Sequence, residues 1–460
     1  MTEIERLARF AANSRFEHLS TPARVQLKLR VLDSLGVAIG ALDTPPMPAI
    51  RAMIDDLGGR PVSTLIGGGA SAPDRAAFYN GALVRALDFM DSTLAPGETF
   101  HPSDNLGAVL AAAEAGDGTG EDFLAGLAVA YEVQTRLSDA APVRRRGFDH
   151  TTQGAYACAA GVARALCLGT ERTAHACAIA GASNVALRVT RTGRLSNWKG
   201  LAYPNTAFSA THAALLAMHG ITGPLEVLEG NKGFKESVAG PFDIRWDGLE
   251  AVMRSIIKRY DAEVHAQSAI EGALELRECH GITVGKIERV EIDTFQAAYD
   301  IIGGGEEGDK KRIETREDAD HSLPYLVAVA LLDGEVLPAQ FTRARIAATD
   351  VRVLIEKISV RPDAELTRRF PAELPARLKI VLADGSEYKI EKCDYEGFFT
   401  RPMSREAVIA KFTRLASPYA DAALRREIIQ TIDSLENLRA REFTATLARV
   451  RAPRPLKIAR

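Results

Sequence analysis

The feature that most constrains this chain is a change of hydrophobic period. Over roughly the first 250 of its 460 residues, apolar positions recur at spacings of three and four, as in packed helices. Val25, Leu29, Leu32, Leu35 and Ile39 form one such stripe, with Thr21 as the cap and Pro22 in the first turn. Gly36 and Gly40 on the same helix predict the close approach of a neighbour. Thr119 and Asp122 form a capping box ahead of Phe123, Leu124, Leu127 and Tyr131. An Ala-rich helix is predicted over 155–168 with Gly169 as its stop, and a further apolar helix over 205–218. After about residue 280 the pattern alternates instead. Ile287, Val290, Ile292 and Phe295 are separated by charges, 358–360 reads as a strand, and 378–382 with 387–390 flank Ala383-Asp384-Gly385-Ser386 as a hairpin. Helical signals intervene at 261–279 and 322–332, and the chain is helical again after Met403. The expected fold is therefore mainly α with α+β: a large all-helical domain from 1–257 and 401–460, and a smaller inserted α+β domain at 258–400. The Gly- and charge-rich stretch 303–311 reads as a mobile loop.

Charge excludes some functions. The 57 basic and 60 acidic residues leave a net of −3, without the basic excess of a nucleic-acid binder. No uncharged apolar run approaches the roughly 20 residues that span a bilayer, and the charged N-terminus lacks a signal-peptide core. A cytoplasmic protein is expected. The five cysteines are sparse and contain no Cys-x-x-Cys pair, which argues against disulfides, a zinc ribbon or a shared iron–sulfur cluster. Nucleotide, Walker, His-Glu-x-x-His and Gly-x-Ser-x-Gly signatures are absent.

The chemistry that remains is carried by histidine and lysine. His101, His150, His265 and His321 each fall at the entrance of an expected helix, where unpaired amides and the helix dipole favour a substrate carboxylate and a neutral imidazole. A turn or capping role accounts for any one of them taken alone. Lys199, between Trp198 and Gly200, and Lys258, after Ile256-Ile257, are candidate carboxylate-binding cations, with surface solvation as the plain alternative. Asp88 and Asp91 are spaced to share one helical face and orient a histidine or a substrate hydroxyl, or to cap a helix end. These residues together suit acid–base catalysis on an anionic substrate.

In order along the chain, these segments resemble the MmgE/PrpD family, which includes 2-methylcitrate dehydratase and cis-aconitate decarboxylase. The resemblance is carried by the segments 80–89, His101-Pro102-Ser103-Asp104-Asn105, Gly147-Phe148-Asp149-His150, Trp198-Lys199-Gly200, Lys258 with 262–269, and 318–329. It covers almost the whole chain. It implies a helical domain with an α+β lid, a site between them, a homodimer, and neither metal nor organic cofactor. The implied partner is a small polycarboxylate, with no nucleic acid and no membrane. The implied catalytic residues are His101, His150, Asp88 and Lys199, and the implied substrate-binding residues are Lys258, His265, Tyr325 and Ser92 or Thr93. The loop from Asp88 to His101 is about one residue longer than the family pattern, which leaves the hydroxyl position open between Ser92 and Thr93. Asp104-Asn105, Asp149-His150 and Ala262-Glu263-Val264-His265 look more like the dehydratase branch. The expected activity is dehydration of a 2-methylcitrate-type hydroxy tricarboxylate. Decarboxylation of cis-aconitate and dicarboxylate epimerisation are the alternatives on the same fold, and a non-catalytic helical binding protein is a distant one.

Overall fold

The computed structural model describes residues 1–451, which fall into two units. The first takes in 1–188, 200–255 and the chain from 404 onward; the second takes in 189–199 and 256–403. The stretch 189–199, expected in the helical domain, groups with the second unit.

The first unit is built from helices whose contacts are set by small residues. Helix Thr21–Gly40 begins one residue earlier than its sequence suggests in one respect: the cap is Ser20, whose Oγ accepts the Ala23 amide, and Thr21 and Pro22 lie in the first turn. Leu29, Leu32, Leu35 and Ile39 are buried, whereas Val25 is half exposed. The neighbour expected at Gly36 and Gly40 is the tail helix Arg405–Ala416. A Cβ at Gly36 would lie 3.0 Å from Phe412 Cα, and one at Gly40 3.2 Å from Leu415 Cβ. Helices Gly120–Ala140 and Thr151–Ala165 meet closer still, at Gly126 and Gly161. A Cβ on either glycine would come within 2.7 Å of the other's carbonyl oxygen. The Thr119–Asp122 capping box forms as expected. The Ala-rich helix stops earlier than expected. It turns at Cys167, which takes a left-handed φ of 53°, and Gly169 serves as the N-cap position of the next helix, Thr170–Ser183. The apolar helix expected from 205 starts at Trp198 and carries Pro204 inside it.

The second unit holds a four-stranded sheet ordered Ile358–Pro362, Ile287–Thr294, Ala376–Leu382, Glu387–Lys392. The first pair is parallel and the others antiparallel. The parallel pair needs a long crossover, supplied by a segment that includes helices Leu323–Asp333 and Thr349–Glu356. The expected hairpin closes with a Leu382 amide to Ser386 carbonyl bond and Gly385 at φ 86°, so the Asp-Gly pair sits in a three-residue loop rather than at the centre of a two-residue one. Helix Gln267–His280 packs on this hairpin through Gly272, where a Cβ would meet Ile390 and Leu378 at 3.2 and 3.3 Å. Leu378 and Ile380 are buried on this sheet, each stabilising it by roughly 1.5–3 kcal/mol. The stretch expected as a mobile loop is partly interior, since Glu307 and Lys310 are buried. Among the described residues no helix is long and apolar enough to cross a membrane.

Candidate active site

In the first unit, the site residues follow the end of helix Pro73–Ala86. Asp88 and Asp91 therefore lie beyond the helix and share no helical face. Asp88 adopts a left-handed φ of 51°, unusual for a non-glycine residue, and its buried carboxylate takes Arg85 at 2.5 Å. The backbone that follows is pinned from two sides. Lys411 of the tail helix donates to the Phe89 carbonyl at 2.8 Å, sits 3.8 Å above the Phe89 ring and pairs with buried Asp33 at 2.7 Å. Burial pushes the Asp33 carboxyl up, against the pull of Lys411. The Asp91 carboxylate accepts the Tyr131 hydroxyl at 2.7 Å and the Ser103 amide at 3.1 Å. Burial, then the charge of Asp91, raises the Tyr131 hydroxyl well above the usual range, so it stays a donor.

That anchored loop runs into a hairpin, Thr93–Ala95 paired with Glu98–Phe100. Pro96 and Gly97 make its two-residue turn, with Gly97 at φ 80°, a backbone state that glycine takes without strain. His101 leaves the second strand. Its Nδ1 lies 2.9 Å from the Asp91 carbonyl oxygen and 3.0 Å from Ser92 Oγ. A carbonyl oxygen only accepts, so this network assigns the proton to Nδ1 and the lone pair to Nε2. Ser92 thus touches His101, whereas Thr93 is a buried strand residue paired with Phe100.

His150 immediately precedes helix Thr151–Ala165, with its Nδ1 3.3 Å from Asp149 Oδ1. Asp149 also accepts the Thr151 amide at 3.2 Å, and Arg188 lies 3.6 Å away. Backbone pairing holds this corner: the Asp149 amide donates to the Ala186 carbonyl, and the Arg188 amide to that of Gly147. The His101 and His150 rings are 5.8 Å apart, edge to face. Tyr203 stacks 6.2 Å from the other side of His150, and its hydroxyl donates to Asn105 Oδ1 at 2.8 Å. Tyr203 can pack there because residue 154 is glycine; a Cβ would lie 2.4 Å from the ring.

The second unit gathers another set. Lys199 Nζ lies 2.6 Å from Asp320 Oδ1 and 2.8 Å from His321 Nδ1, and that same Nδ1 is 2.7 Å from Asp320. His265 Nδ1 meets Glu263 Oε1 at 2.7 Å, while Glu263 Oε2 accepts the His265 amide. Burial opposes the Glu263 charge, yet His265, assisted by His321 and Lys258, outweighs it and holds the carboxyl down at about 2. The imidazole of His265 packs against Phe295 and Phe370, themselves stacked at 4.3 Å. Lys258 is fully buried. The Glu263 amide donates to the Asp320 carbonyl at 3.0 Å, which ties the two histidine groups together. Tyr325 is also fully buried, and its hydroxyl donates to the Gln340 carbonyl, an internal bond of this unit.

All four histidines do precede or open helices, His265 within the short turn Val264–Ala266. The sequence pattern did not mark Lys310, whose ammonium is pushed down by burial, with Glu307 opposing and the charge of Lys199 adding to it. It also passed over Glu98, whose signal was the Pro-Gly turn between two short β-prone runs. Asp320 and Glu263 stood inside recognisable segments, but nothing local showed which cations they would hold.

Comparison with known proteins identifies the family. Residues 5–247 match the MmgE/PrpD N-terminal domain and residues 260–437 the MmgE/PrpD C-terminal domain. The 2-methylcitrate dehydratase of Salmonella typhimurium is 32% identical over 73% of this chain and 73% of its own length. That of Cupriavidus necator is 30% identical over 77% of this chain and 78% of its own. An alkylcitrate dehydratase from Fungal sp. is 28% identical over 98% of this chain and 94% of its own.

Proposed function

The chain belongs to the MmgE/PrpD family, and from that premise we propose that it is a hydro-lyase dehydrating a 2-methylcitrate-type hydroxy tricarboxylate to an aconitate-type alkene. The observation that carries this reading is the His101–His150 pair, two buried imidazoles 5.8 Å apart with different partners at Nδ1. Dehydration needs a base for a weakly acidic proton α to a carboxylate and an acid for the departing hydroxide. His101, whose Nδ1 donates to a neutral carbonyl, presents an Nε2 lone pair and is the base. His150, whose Nδ1 lies 3.3 Å from Asp149 Oδ1, is assigned as the acid.

The proton taken by Nε2 of His101 leaves its electron pair beside a carboxylate. Cations must stabilise that developing charge. Lys199, Lys258 and His265 are assigned to the substrate carboxylates, and Asp88 with Ser92 to the reacting hydroxyl end. The carbon–oxygen bond then breaks, and the hydroxide departs as water with the proton from His150. No step requires a metal or an organic cofactor.

The test is direct. The purified, chelator-treated chain, incubated with 2-methylcitrate, should produce the ultraviolet absorbance of a conjugated alkene. A folded protein with no turnover sinks the assignment. Release of carbon dioxide from cis-aconitate, or epimerisation in deuterated water without alkene, would replace it with a sister reaction. We extend the proposal to a cytoplasmic homodimer; a monomer mass by light scattering would overturn the dimer.

A further inference from the structure

Glu98 is a buried carboxylate that the reaction above does not use. It stands three residues before His101 on the strand Glu98–Phe100 and is 3% exposed. Its Oε2 accepts two backbone amides, those of Val143 and Arg144, each at 3.2 Å. The turn beside it rests on the same segment, since a Cβ at Gly97 would lie 3.8 Å from that of Pro142. That segment continues through Gly147 to Asp149 and His150. One side chain therefore joins the strand that delivers His101 to the stretch that delivers His150.

We propose that Glu98 is a positioning residue for the His101–His150 pair, its carboxylate fastening the two chain segments that set the spacing and angle of the imidazoles. This rests on reading that pair as the acid–base couple. The tie is made to backbone amides, so it fixes main chain rather than a mobile side chain. It is also costly: a buried carboxylate held by amides is harder to accommodate than a neutral amide of the same shape. The charged groups facing it are Asp149, which repels it, and Arg188, which attracts it. Burial pushes the Glu98 carboxyl up to about 7, with the Val143 and Arg144 amides and Arg188 opposing and Asp149 adding to the rise. The tie is therefore charged above neutrality and neutral below it. Because the folded value exceeds the unfolded one of about 4.3, ionisation costs stability as pH rises between them, and the full cost is present above about 7.

Three full-length chains test this: wild type, Glu98→Ala and Glu98→Gln. Glu98→Gln imitates the protonated carboxyl, so its melting temperature should exceed that of wild type at pH 8 and match it at pH 4. Glu98→Ala cuts the tie. It should move the imidazole C2–H resonances of His101 and His150, leave those of the other seven histidines in place, and lower kcat about 10- to 100-fold with KM little changed. Glu98→Gln should restore the resonances and most of kcat, and should flatten the part of the pH–kcat profile near 7. The proposal is overturned if Glu98→Ala leaves both resonances at their wild-type positions, or if Glu98→Gln fails to restore them. Neither measurement needs a substrate. A wild-type chain that dehydrates no tricarboxylate would defeat the functional reading alone, and these two results would still decide the role of Glu98.

Discussion

The two units treat histidine differently. In the first, Nδ1 of His101 is held by a backbone carbonyl and a serine. In the second, His265 and His321 each face a carboxylate, and Lys199 shares the carboxylate of His321. A carbonyl accepts from one ring nitrogen and so fixes the tautomer. A carboxylate beside a ring nitrogen orients the imidazole through an acceptor that also holds other donors, here the His265 amide and Lys199. On the proposed reading the contrast is a division of labour: proton transfer in the first unit, carboxylate binding in the second. His150 is intermediate, a first-unit histidine with a carboxylate behind it, and the proposed mechanism gives it the acid role.

The sharpest way to break that division is to remove a proton carrier. His101→Ala should cut kcat by about 10³-fold with little change in KM, measured by alkene absorbance. A comparable rise in KM alone would place His101 among the binding residues instead. Next in size is the stability of the second unit. Glu263→Gln breaks a buried ion pair and should cost roughly 3 kcal/mol at pH 7 in urea titrations. The sign follows from a lowered carboxyl: the stabilisation is present above the unfolded value and disappears as pH falls through about 2, so the variant and wild type should converge in strong acid. Lys199→Met removes one standing charge and should raise KM about 30-fold, equivalent to about 2 kcal/mol, while kcat changes less. A pure kcat loss would move Lys199 into the proton-transfer group. Smallest is Thr119→Ala, which removes a helix cap far along the chain from either set. It should lower first-unit stability by about 1 kcal/mol and leave both kinetic constants unchanged.

Much of the fold was legible because it is written in local periodicity. The helices around Leu29 to Ile39, the capping box at Thr119 and the hairpin about Gly385 each need only a few adjacent residues to declare themselves. Errors cluster where two neighbouring residues compete for one role. Ser20 took the cap from Thr21, and Cys167 took the turn from Gly169, since each satisfies the same backbone need one or two positions earlier. The helical face proposed for Asp88 and Asp91 failed because the helix ends at Ala86, and the left-handed φ of Asp88 has no local sequence marker. Tyr325, expected among the substrate-binding residues, has a hydroxyl that donates to the Gln340 carbonyl 15 residues further along the chain, a contact no local pattern announces.

The sequence by itself determined which residue types could do chemistry and where helices lie to within a few residues, and through its ordered segments it declared the family. It did so because side-chain chemistry and helix-end signals are local properties. Only the tertiary structure decided which partner each histidine has. Asp91 at His101, Glu98 tying Val143 and Arg144, and Asp320 between Lys199 and His321 are contacts across 1 to 121 positions of chain. Most join residues distant in sequence, and even neighbours such as Asp320 and His321 gain their role from a lysine far away. An imidazole's function depends on what stands at its second nitrogen, and that is settled by packing.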